Sequence, residues 1–68
     1  MLSKYVVEIE TEDGHASYVT VKIASAKCAG ATLTVIFDNG MFDFHTFRNA
    51  TRAAEAYTKI AVALRAVA

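Results

Sequence analysis

Residues 32–46 read Thr-Leu-Thr-Val-Ile-Phe-Asp-Asn-Gly-Met-Phe-Asp-Phe-His-Thr, and the pairing assigned to this stretch decides the fold. Alternation puts Leu33, Val35 and Phe37 on one side of a strand that runs from Thr32 to Asp38. Asn39-Gly40 is the strongest short hairpin signal in the chain, because a type I′ two-residue turn needs positive φ at both central positions. Such a turn opposes Phe37 to Phe42 and Val35 to Phe44. Both phenylalanines then join the apolar side of a returning strand from Met41 to Thr46.

Two earlier segments alternate in the same way. In residues 4–11, Tyr5, Val7 and Ile9 oppose Lys4, Val6, Glu8 and Glu10; in residues 17–25, Val19, Val21 and Ile23 oppose Tyr18, Thr20 and Lys22. Directly opposed residues of an antiparallel pair share a face, which selects the turn between these strands. A two-residue Asp13-Gly14 turn would oppose Val7 to Thr20. A three-residue loop, Glu12-Asp13-Gly14, opposes Val7 to Val19 and Tyr5 to Val21, and puts Gly14 at the left-handed position of a bulged turn. Residues 24–30, Ala-Ser-Ala-Lys-Cys-Ala-Gly, carry no apolar period and read as a connection.

After Asn49 glycine and proline vanish and alanine dominates, while Tyr57, Ile60, Leu64 and Val67 recur at helical spacing beside Ala53, Ala56 and Ala61. One amphipathic helix follows, capped at its N-terminus by Asn49 or Thr46. The expected fold is α+β: a four-stranded antiparallel meander with one C-terminal helix on one face, in the order ββββα, as one domain over residues 1–68. The core is Tyr5, Val7, Ile9, Val19, Val21, Ile23, Leu33, Val35, Phe37, Phe42 and Phe44 against Tyr57, Ile60, Leu64 and Val67.

A chain of 68 residues buries only about 60% of the surface its unfolded form exposes, so each large apolar residue matters. The single cysteine, Cys28, excludes an intrachain disulfide and disfavours a zinc cage. Together with the absence of an apolar leader in residues 1–4, it points to a reducing cytoplasmic setting and no membrane contact. Seven acidic residues balance seven basic ones, which removes the simple electrostatic argument for nucleic acid. The meander would nevertheless sort charge: Glu10, Glu12, Asp13 and Asp38 at an acidic end, Lys4, Lys22, Lys27, Arg48 and Arg52 at a basic one.

The uncovered sheet face would show Val6, Tyr18, Thr20, Ile36, Met41, Asp43 and His45, the residues expected to touch a partner. Asp43 and His45, two apart on that face with Thr34 opposite His45, could form an acid–base pair, but an open sheet face lacks the water-excluding pocket catalysis needs. His15 and Cys28 lie too far apart to join a metal site with His45, and each of the three glycines is used in a turn or loop rather than a phosphate cradle. Asn49-Ala50-Thr51 matches a glycosylation acceptor, which the helix-cap role of Asn49 explains better. Reading single-stranded RNA would require several outward aromatics, and only Tyr18 is expected to face out.

The residues therefore predict a non-enzymatic protein-binding module without catalytic residues, cofactor or metal, acting by occupying a surface. A dimerising adaptor, with a homodimer through the open face or an edge strand, and an inhibitor both fit. The small self-contained format matches inhibitors that phages and other mobile elements direct at host machinery, anti-CRISPR inhibitors among them. The alternative is a nucleic-acid accessory protein that applies the basic end to phosphates.

Overall fold

The computed structural model describes residues 6–67, apart from the side chain of Val67, so Lys4, Tyr5 and that side chain lie outside the described residues. Among the described residues, five strands precede one helix: β1 (Val6–Thr11), β2 (Gly14–Val19), a single 3₁₀ turn (Thr20–Lys22), β3 (Ile23–Ala29), β4 (Thr32–Phe37), β5 (Phe42–Thr46) and α1 (Ala50–Val67). The fold is α+β, with antiparallel pairing throughout and one C-terminal helix. It has two sheets rather than one, the hairpin β1-β2 and the meander β3-β4-β5.

The expected second strand is broken by the Thr20–Lys22 turn, and the expected connection is strand β3. Ala26 and Cys28 of β3 oppose Val35 and Leu33 of β4, while Ser25, Lys27 and Ala29 point to the other side. Its inward residues are small, so β3 shows no hydrophobic contrast along the sequence. The same small residues let α1 lie close over β1, β3 and β4, with Ala53, Ala56 and Ile60 buried at the contact.

Both hairpin turns differ from expectation, and they exchange lengths. The first is the two-residue turn Glu12-Asp13, which opposes Val7 to Tyr18, Ile9 to Ala16 and Thr11 to Gly14. Gly14 takes a φ of 135°, closed to residues with a side chain. The second is a three-residue loop: the Phe37 N–H donates to the Met41 carbonyl at 2.8 Å, and the Gly40 N–H donates to the Phe37 carbonyl at 3.1 Å. Gly40 sits at φ 88°, and among the described residues no non-glycine has positive φ, so Asn39 does not supply a type I′ turn. Its side chain instead accepts the Met41 N–H at 2.9 Å.

A shift of one residue moves every side chain of a strand to the opposite face. In β2 the inward set becomes Ala16 and Tyr18, which leaves Val19 and Val21 about half exposed. In β5, Val35 opposes Asp43 and Leu33 opposes His45, while Thr34 opposes Phe44 and Ile36 opposes Phe42. The two phenylalanines thus face outward and Asp43 and His45 inward. Among the described residues the core comprises Val7, Ile9, Tyr18, Ile23, Leu33, Val35, Phe47, Ala53, Ala56 and Ile60. Phe37, Tyr57 and Leu64 are partly buried against it. Phe47, just past β5, enters this core although the strand pattern had ended before it.

The extra strand also mixes the charges. Glu12 at the first hairpin tip lies 3.7 Å from the Arg48 guanidinium and 3.6 Å from that of Arg52, so members of the expected acidic and basic ends meet. At the other end of the sheets the Asp38 N–H donates to the Lys22 carbonyl at 2.8 Å. The tips of the β1-β2 and β4-β5 hairpins lie at opposite ends of the sheets, and the predicted charge segregation is absent from the described residues.

Candidate docking surface

Tyr18 explains why the inner side of β5 is polar. Its ring, 8% exposed, packs against Phe37 at a centroid distance of 5.8 Å. The hydroxyl reaches from β2 across to β5, 2.8 Å from Asp43 Oδ2 and 2.5 Å from His45 Nε2. One hydroxyl carries one proton, and an ionised carboxylate can only accept. Tyr18 therefore donates to Asp43 and accepts from His45 in the tautomer that carries its hydrogen on Nε2. Burial, followed by the Asp43 hydrogen bond and charge, pushes the Tyr18 phenol well above its ordinary value of 10.0. The cluster ties the hairpin to the edge of the meander. The raised phenol stays in its neutral form.

These positions correct four of the predicted partner-contacting residues. Tyr18 is buried, and Thr20, in the 3₁₀ turn, is 0% exposed. Asp43 and His45 face inward onto Tyr18 rather than outward, and the residue opposite His45 is Leu33, not Thr34. Val6 is exposed on β1 opposite Val19, Met41 is exposed at the second hairpin tip, and Ile36 is partly exposed on β4. Thus Val6, Ile36 and Met41 are accessible but lie on three different parts of the molecule.

The outer face of the meander carries Ser25, Lys27 and Ala29 from β3, Thr32, Thr34 and Ile36 from β4, and Phe42, Phe44 and Thr46 from β5. Phe42 and Phe44 are 62% and 59% exposed, and their rings stack at 6.3 Å and 24°. Lys27, Thr34, Ile36, Gly40 and Phe42 line an open groove of about 410 Å³. No carboxylate lies on this face among the described residues. The inward turn of Asp43 removes the only one that β5 could supply. Sequence reasoning missed the phenylalanine pair because the assigned turn buried it. The sequence Asp38-Asn39-Gly40 is equally compatible with a three-residue bulged loop, which would have turned the pair outward.

A second cleft, about 370 Å³, lies between the end of β1 and α1 and is lined by Glu10, Glu12, Phe47, Arg52, Glu55 and Lys59 among others. It is lined by charges of both signs, and its Arg52 lies 3.6 Å from Glu12. Cys28 is partly buried on β3 with its thiol 3.7 Å from the Gly30 carbonyl. No three of His, Cys, Asp and Glu converge as metal ligands among the described residues, and no described helix is long and apolar enough to cross a membrane. Comparison of the chain with known protein families, characterised proteins and solved structures gave no match.

Proposed function

We propose that this domain is a non-enzymatic protein-binding module that works by laying the outer face of β3-β4-β5 on a partner. The observation that supports the reading is the stacked, exposed Phe42–Phe44 pair. A core this small gains from every large apolar side chain it can bury, and an exposed apolar patch rimmed by polar groups marks an interaction surface. Lys27, Ser25 and the threonines supply that rim. An adaptor and an inhibitor of a host system of the type carried by mobile elements, anti-CRISPR inhibitors included, would both use such a surface.

The test is affinity capture by the tagged wild-type chain and by the Phe42→Ala/Phe44→Ala double variant, from cells of the source. A stoichiometric protein retained by the wild type and lost by the folded variant is the expected result. Equal retention by both, or no retained protein, overturns the reading.

The same pair favours a second reading, single-stranded nucleic acid. Two outward aromatics at alternate strand positions can each stack a base, and Lys27 with four hydroxyl-bearing neighbours on a carboxylate-free face can receive the backbone. The predicted basic end does not carry this reading, because Lys22 lies at the opposite end from Arg48 and Arg52. Fluorescence anisotropy with labelled oligouridine and oligothymidine decides it: binding that weakens with salt and is lost in the double variant supports nucleic acid, and no binding at low salt excludes it.

A further inference from the structure

We infer that β5 pairs with β5 of a second copy about a two-fold axis at Phe44, which extends the three-stranded meander to six strands. The inference concerns the edge beside the surface described under the proposed function and rests on that reading only in taking the face to be open. In an antiparallel pair, successive residues point their main-chain groups alternately toward and away from the neighbouring strand. The hydrogen bond from Phe37 N–H to the Met41 carbonyl, in the register that opposes Val35 to Asp43 and Leu33 to His45, directs Met41, Asp43 and His45 toward β4. The N–H and C=O groups of Phe42, Phe44 and Thr46 therefore point to the open edge, where no described strand pairs with them.

Those three residues are symmetric about Phe44. An axis there opposes Phe44 to its own copy and Phe42 to Thr46 of the second copy, so every outward main-chain group of β5 gains a partner. The same register places Asp43 of each copy opposite His45 of the other on the inner face. Moving the axis to Asp43 would oppose two carboxylates, and moving it to His45 would oppose two imidazoles, pairings that are unfavourable or neutral. Only the Phe44 axis opposes acid to imidazole while it uses all three open residues. On the outer face it brings the two Phe44 rings side by side and joins the two aromatic pairs into one band.

Natural edge strands are commonly blunted by proline, by lysine or by inward charge. β5 has no proline or lysine, and its inward charge, Asp43, is already engaged by Tyr18. The contact is one short strand, so association belongs to the weak class of interfaces.

Sedimentation equilibrium of the wild-type chain from about 10 μM to about 1 mM covers the range in which such a contact forms. The predicted result is a concentration-dependent monomer–dimer equilibrium. Thr46→Pro removes an N–H that faces only the open edge, which an edge strand tolerates. That variant should remain monomeric at the highest concentration with an unchanged circular dichroism spectrum. Amide exchange of the wild type supplies a readout independent of the variant's folding: the Phe42, Phe44 and Thr46 amides become protected as concentration rises, and those of Asp43 and His45 do not change. A monomer at all concentrations, a dimer equally formed by a folded Thr46→Pro, or unchanged exchange at the three amides overturns the inference. Loss of a captured protein in the Phe42→Ala/Phe44→Ala variant is scored separately, so the docking face can stand where the edge pairing fails.

Discussion

Two buried hydroxyls show how differently a single polar atom can act in a core this small. The Tyr18 hydroxyl has two partners and spans the two sheets, so Tyr18→Phe should cost about 1–2 kcal/mol in urea denaturation, the usual loss when buried hydrogen-bonding groups are left without their partner. Its raised phenol also sets a pH response. Below pH 10.0, the ordinary phenol value, both folded and unfolded chains keep the proton and the contribution is fully present. Above it the unfolded chain ionises first and binds fewer protons, so stability falls as pH rises toward the folded-state value. The difference between wild type and Tyr18→Phe, measured through the alkaline range, should shrink accordingly. The Thr20 hydroxyl, by contrast, is buried with no hydrogen-bond partner among the described residues. Thr20→Val keeps the branched shape and removes an unsatisfied group, and it should raise stability by about 1 kcal/mol; a lower denaturation midpoint would show that the hydroxyl is satisfied in solution.

At the scale of elements, what was legible in the sequence is what had strong contrast. Helix α1 stands out because Tyr57, Ile60 and Leu64 recur against alanine, and its start is set by Asn49, whose side chain accepts the Arg52 N–H at 2.9 Å. Asn49→Ala should cost about 1 kcal/mol, read as a lower thermal midpoint, and Asn49→Gly much less. Strand β1 is equally visible, with Val7 and Ile9 buried and Val6 and Glu8 exposed. Strand β3 is not, because Ala26 and Cys28 are inward and differ little in hydropathy from Ala29 outside. The two hairpins are recognisable as hairpins, but their registers are not. Hydrophobicity alone assigns Phe42 and Phe44 to the core, whereas the space inside β5 is taken by Tyr18, a residue distant in sequence. No local pattern reports that competition, and it hid the outward aromatic pair.

For the whole molecule, the consequence is a small core beneath α1, a polar tie at one edge and an aromatic band on the far side of the meander. Charge does not organise it: the Glu12 contacts to Arg48 and Arg52 are solvent-facing and contribute little. The account depends on the orientation of β5, and urea denaturation of the Phe42→Ala/Phe44→Ala double variant tests it most directly. With both rings outward, the pair should lose no more than about 2 kcal/mol, the strand-propensity contribution of two exposed positions. A loss of about 6 kcal/mol or more, or failure to fold, is the cost of removing two phenylalanines from a core and would contradict the outward placement on which the docking surface is built.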